Sequence, residues 1–73
     1  MVEPKTRILI VDDEVEIRRS LRTTLVANGF DVVEAGNARD AAIHATSYNP
    51  DLLLINLNLP DRDSLNLIRE LRQ

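Results

Sequence analysis

The sequence predicts an α/β domain built on a parallel sheet, and three observations carry that prediction. Strand-like and helix-like segments alternate three times along 73 residues, with short connections between them. The first and third strand-like segments, "RILIVD" (7–12) and "DLLLIN" (51–56), are nearly unbroken aliphatic runs, as expected of strands buried on both faces. Both runs end on polar side chains: Asp12 and Asp13 close the first, and Asn56 closes the third.

After the first strand a helix is expected from about Glu14 to Asn28. Ile17, Leu21, Thr24, Leu25 and Asn28 fall at helical spacing, with Arg18, Arg19 and Arg22 off that stripe. Gly29 then supplies a residue that tolerates the left-handed conformation at the helix end. "FDVVEA" (30–35) reads as a second strand, shorter and more polar, hence nearer an edge. Asn37, with Asp40 three residues on, opens an alanine-rich helix that runs to about Ser47, and "NP" at 49 and 50 ends that region. The turn "LNLPDRD" follows the third strand and leads to a last helix from about Ser64. Leu65, Ile68 and Leu71 form its expected inner face, opposite Arg69, Glu70 and Arg72.

Short alternating connections imply right-handed crossovers and a parallel sheet. The two most apolar strands, the first and third, are expected to be adjacent and central, with the second outside the first, an order of 2-1-3. The whole chain, 1–73, forms one domain of three layers, with helices on both faces of the sheet. In such sheets ligands collect beyond the carboxyl ends of the strands, where the strand order reverses. Asp12, Asp13 and Asn56 all emerge at that point.

Composition narrows the function. At this length only about 60% of the unfolded surface can be buried, so the core is thin. There are no cysteines, which excludes disulfides and thiolate metal sites and favours a reducing cytoplasm. No apolar run approaches a membrane span, and "MVEPKTR" has no signal-peptide core. A net charge of −3 argues against direct nucleic-acid binding.

The turn "VDDEVE" carries acids where a phosphate-binding loop needs glycines, so a nucleotide site is excluded. Adjacent carboxylates suit a hard cation: magnesium takes oxygen ligands and one or two carboxylates. The competing reading is structural. Asp13-x-x-Glu16 has capping-box spacing, and acids are favoured in a first helical turn. From "DDE" alone capping is the better account; the convergence with Asn56 shifts the balance towards a metal site. His44 has no ligand partner at a useful spacing and reads as a surface residue. Tyr48 is expected to pack near a helix end, and Ser64 reads as an N-cap because no base accompanies it. No nucleophile–base pair is visible, so no catalytic residue is assigned.

These residues resemble a known family, the receiver domains of bacterial two-component response regulators. "ILIVDDE" is similar to the family's first strand and acidic pair, and "NPDLLLINLNLPDRDS" to its third strand and phosphorylation-site turn. "IRRSLRTTL" and "LIRELRQ" are most similar to DNA-binding regulators of the OmpR class, including those of potassium uptake. The resemblance implies a flavodoxin-like fold and a phosphorelay function. It also implies that Asp12 and Asp13 are magnesium-binding acids and that Asn58 offers its backbone carbonyl to the metal. Asn56 stands where the family places its phosphoacceptor aspartate. An amide cannot form an acyl phosphate; it can lend one oxygen to magnesium, with binding weakened by the missing charge. Ser64 stands where glycine is usual.

The family's sheet has five strands in the order 2-1-3-4-5, and this sequence supplies the first three. The chain is therefore expected to be a half-length, non-phosphorylatable receiver. Its third strand becomes an edge able to pair with another chain. A homodimer through that edge, or through helix exchange, is expected to complete the fold. A sensor histidine kinase is the other expected partner, docking on the first helix at Arg18, Arg19 and Arg22. Two alternatives stand beside this: a magnesium-dependent phosphatase with Asp12 as nucleophile, for which there is no room for a substrate cap, and a purely structural self-associating fragment.

Overall fold

The computed structural model describes residues 5–56, 59 and 64–71. Its elements follow in the order β1 (Arg7–Val11), α1 (Val15–Ala27), β2 (Asp31–Ala35), α2 (Ala38–Tyr48), β3 (Leu52–Ile55) and α3 (Ser64–Leu71). The strands form a parallel sheet in the order β2-β1-β3. All six elements lie where the hydrophobic periodicity places them, with ends shifted by a residue or so.

The register explains how the strand ends meet. Val11 lies opposite Ala35 on one side and Ile55 on the other. The next residues, Asp12 and Asn56, are held in line by Asp12 N–H donating to the Ala35 carbonyl (3.1 Å) and Asn56 N–H donating to the Val11 carbonyl (2.8 Å). At the opposite end, Arg7 ties the elements together. Its backbone N–H donates to Asp51 Oδ2 at 2.9 Å, its Nη1 donates to the Tyr48 carbonyl at 2.9 Å, and its guanidinium lies 5.5 Å from the Tyr48 ring centroid.

Strand alternation divides the core. Leu9 and Val11 of β1 face α2 and α3 and join Ala35, Ala38, Ala41 and Leu67 in one buried cluster. Small residues on α2 let that helix approach the sheet closely, which is why the alanine-rich segment has so modest an apolar face. Ile8 and Ile10 are equally buried but alternate to the other face, the one that carries α1.

Two expected helix faces differ from those observed. In α3 the buried residue is Leu67, with Ile68 and Leu71 half-buried, while Leu65 is 56% exposed. Leu67 and Leu71 are one turn apart and descend together onto α2 and the sheet; Leu65 is two residues away from Leu67, on nearly the opposite side of the helix. In α1 no residue is fully buried, and Ile17 and Leu21 of the expected inner stripe are exposed along with Val15 and Val26. The helix is seated over β1 and β2, turned so that Arg18 faces the sheet. The half of this face above β3 remains open, as a groove of about 260 Å³ bordered by Ile10, Leu21, Leu54 and Ile55.

The helix ends have identifiable chemistry. Gly29 N–H donates to the Val26 carbonyl (3.0 Å) and Phe30 N–H to the Leu25 carbonyl (3.1 Å), the paired bonds of a Schellman ending, with Gly29 at φ +91°. Asn37 accepts the Asp40 N–H at 2.8 Å and caps α2 as expected. The α2 C-cap, Asn49, takes the left-handed conformation at φ 58° before Pro50. The capping box expected at Asp13 and Glu16 is not formed. Glu14 occupies the N-cap without a side-chain bond, and Asp12 Oδ1 instead accepts the Glu14 N–H at 2.9 Å. The preceding acid does the work because the chain leaves β1 in a tight turn that folds Asp12 back over its own second neighbour.

Candidate functional site

The carboxyl ends of β1 and β3 bring Asp12, Asp13 and Asn56 together. Asn56 Nδ2 lies 3.2 Å from Asp12 Oδ1 and 3.2 Å from Asp13 Oδ1, so one amide group bridges both acids. Asp12 and Asn56 are half-buried and Asp13 is exposed. Asn58, which the family resemblance assigns to the same site, lies outside the described residues.

Asp12 is the hub of this site. Its backbone N–H is bound to Ala35, its Oδ1 accepts from both Glu14 N–H and Asn56, and its carbonyl accepts from Arg18 Nη1 at 2.7 Å. Arg18 is in turn held by Glu34: Nε to Oε1 is 3.2 Å, with both side chains about four-fifths buried. Arg22 Nη1 adds a second contact to Glu34 Oε2 at 3.3 Å. Gly36 makes room for this arrangement, since a Cβ there would stand 3.3 Å from Arg18 Nη1.

The three arginines expected to form one docking surface on the first helix do not share one environment. Arg18 is turned inward as a strut between β2 and the Asp12 carbonyl, while Arg19 and Arg22 remain exposed. The sequence held a clue to the strut. Glu34 is a lone acid inside a strand otherwise apolar from Val32 to Ala35, on the face that must meet α1. A buried acid there requires a cation, and Arg18 is within reach.

The donor set decides how a divalent cation would fare. Among the described residues no group of three His, Cys, Asp or Glu side chains is placed to hold one. The third side chain at the strand ends, Asn56, presents an N–H₂ group to the acids, not an oxygen. The magnesium site that the resemblance implies does not fit this arrangement as it stands. His44 is half-buried on α2, away from these strand ends.

A three-stranded parallel sheet with paired acids at its strand switch point defines the class as a doubly wound α/β fold, and known proteins share it. The sequence profile described as "Response regulator receiver domain" matches residues 8–73. The chain is 46% identical over 68 residues to the KDP operon transcriptional regulatory protein KdpE of Escherichia coli, spanning 93% of this chain and 30% of that protein. It is 38% identical over 68 residues to the chemotaxis protein CheY of Bacillus subtilis, spanning 92% of this chain and 57% of that one. Among solved structures, the chemotaxis response regulator CheY4 of Vibrio cholerae superposes with a TM-score of 0.92 at 26% identity, over 96% of this chain and 58% of that one.

The chain belongs to the response regulator receiver domain family. It spans less than two thirds of the length of these relatives. The expected likeness to transcription regulators is met by KdpE and by ResD of Bacillus subtilis, at 38% identity. The phosphatase alternative finds no support in these relatives, which are response regulators. No helix among the described residues is long and apolar enough to cross a membrane.

Proposed function

We propose that this chain is a receiver module of two-component signalling that does not accept a phosphoryl group, and that it acts by binding partners in the cytoplasm. The observation that carries the reading is Asn56 at the end of β3, bonded to both Asp12 and Asp13 in the place of a carboxylate nucleophile. A carboxamide nitrogen has its lone pair delocalised into the carbonyl, and its oxygen is neutral, so neither atom attacks phosphorus as a carboxylate does. No catalytic turnover belongs to this reading.

The partner proposed is a sensor histidine kinase, which would meet the exposed Arg19 and Arg22 at α1. Arg18 is excluded from that surface by its inward contacts. The test is incubation with a small-molecule phosphodonor and magnesium, followed by intact mass. The folded chain should gain no phosphoryl adduct; an adduct on it would overturn the proposal.

A second reading, self-association, is favoured by the free side of β3. Among the described residues β3 pairs with β1 alone, and Leu52 at its start is 48% exposed. An unpaired edge with apolar neighbours is a template for another strand.

A further inference from the structure

Carboxylates near neutral pH accept hydrogen bonds and donate none. That fixes which end of the Asn56 amide faces Asp12 and Asp13. Turned the other way, Oδ1 would stand about as close to two carboxylate oxygens, with no proton between any of them. The N–H₂ group instead offers one proton to each acid, at 3.2 Å in both cases. These are bonds to charged acceptors, the stronger class. A divalent cation between the same carboxylates would demand the reverse, with an oxygen of residue 56 facing inward.

We infer that the Asn56 amide is the resident occupant of the acidic pair, an internal neutral donor that stands in for the cation and joins the ends of β1 and β3 without metal. The inference deepens the proposed function, because it rests on reading these strand ends as the receiver site. It adds that the substitution does more than remove a nucleophile. An acidic pair closed by its own amide has no need of a cation, and magnesium could enter only by turning the amide over and breaking both of its bonds to the acids. Metal binding is thus opposed twice, by the missing charge and by the bonds that must be given up.

The test compares the unaltered chain with Asn56→Asp and Asn56→Ala, by urea unfolding in chelator-treated buffer and again with magnesium. Without metal both variants should unfold at lower urea than the unaltered chain: Asn56→Asp gathers a third carboxylate, and Asn56→Ala loses the bridge. Magnesium should raise the midpoint of Asn56→Asp and leave that of the unaltered chain nearly fixed, an affinity difference of at least about tenfold. An Asn56→Asp chain as stable as the unaltered one without metal would overturn the inference, as would an equal gain from magnesium in both.

Should Asn56→Asp fail to fold, the unaltered chain still answers. The Asn56 side-chain N–H₂ signals in a ¹⁵N spectrum should be displaced by Asp13→Asn and be insensitive to millimolar magnesium. Movement with magnesium at the acidic pair would sink the idea. A phosphoryl adduct in the mass experiment would defeat the proposed function while leaving these metal-free midpoints as they are, so the two failures are distinguishable.

Discussion

Arg18 shows how much one side chain can hold in a domain of this size. Its guanidinium donates to the Asp12 carbonyl at 2.7 Å and to Glu34 at 3.2 Å, and so links α1, β2 and the end of β1. Removing it leaves a largely buried carboxylate with Arg22 as its remaining partner, and a carbonyl without its charged donor. Arg18→Ala should cost about 1–3 kcal/mol in urea unfolding, whereas Arg19→Ala, at an exposed position on the same helix, should stay within about 0.5 kcal/mol. Equal losses would mean that helix propensity, not the strut, governs this region. Tyr48 makes a different kind of contribution. Its phenol pKa is raised above the ordinary 10.0, by burial first and by the Asp31 carboxylate next. A raised folded pKa favours the protonated form in the native state, so this stability is present below pH 10 and is lost as pH climbs through the raised value. Unfolding midpoints measured from pH 9 to 11.5 should fall, and Tyr48→Phe should flatten that fall.

At the scale of the element, the ends of α1 matter more than its middle. The helix buries no residue completely, so its position depends on Arg18, on the turn at Asp12 and on its C-terminal ending. Gly29 adopts φ +91°, where nothing within 4 Å would oppose a Cβ, so the cost of replacing it is purely conformational. Gly29→Ala should therefore destabilise by about 1–2 kcal/mol, because an L-residue resists the left-handed region. Chemical denaturation gives the value directly. A neutral result would show the ending to be replaceable by a simpler turn. The α2 cap offers a contrast. Asn37 and Asp40 announce that cap in sequence, and the structure forms it. Asp13 and Glu16 have the same spacing and form none, because Asp12 has already turned back to bind the Glu14 N–H. Spacing permits a cap; the path of the chain into the helix selects it.

Over the whole molecule the layers are unevenly covered. The α2–α3 side is closed by Leu67 and the alanines, whereas the α1 side leaves Leu21 and Leu54 bordering an open groove beside the side of β3 that pairs with no strand among the described residues. Both features favour association. Light scattering over a concentration series should show mass rising above that of one chain. Leu52→Lys, which sets a charge at the exposed start of β3, should move the rise to higher concentration. A constant single-chain mass up to high micromolar concentration would defeat self-association and leave the kinase as the partner to pursue.

Sequence by itself determined the six elements, the 2-1-3 order and the meeting of Asp12, Asp13 and Asn56. These follow from aliphatic runs, turn residues and the handedness of crossovers, all local or topological rules. Family membership was legible for the same reason: the motifs "ILIVDDE" and "LLLINLNLPD" keep their order and spacing. Only the tertiary structure decided the rest. The rotation of α1 turned Arg18 from an assumed surface residue into a strut. The packing of α3 chose Leu67 over Leu65. The side-by-side strand ends aimed the Asn56 nitrogen, not its oxygen, at the two acids. Each is a matter of direction. Periodicity says that a residue lies on an element, but which way it points is fixed by the neighbours that the fold brings to meet it.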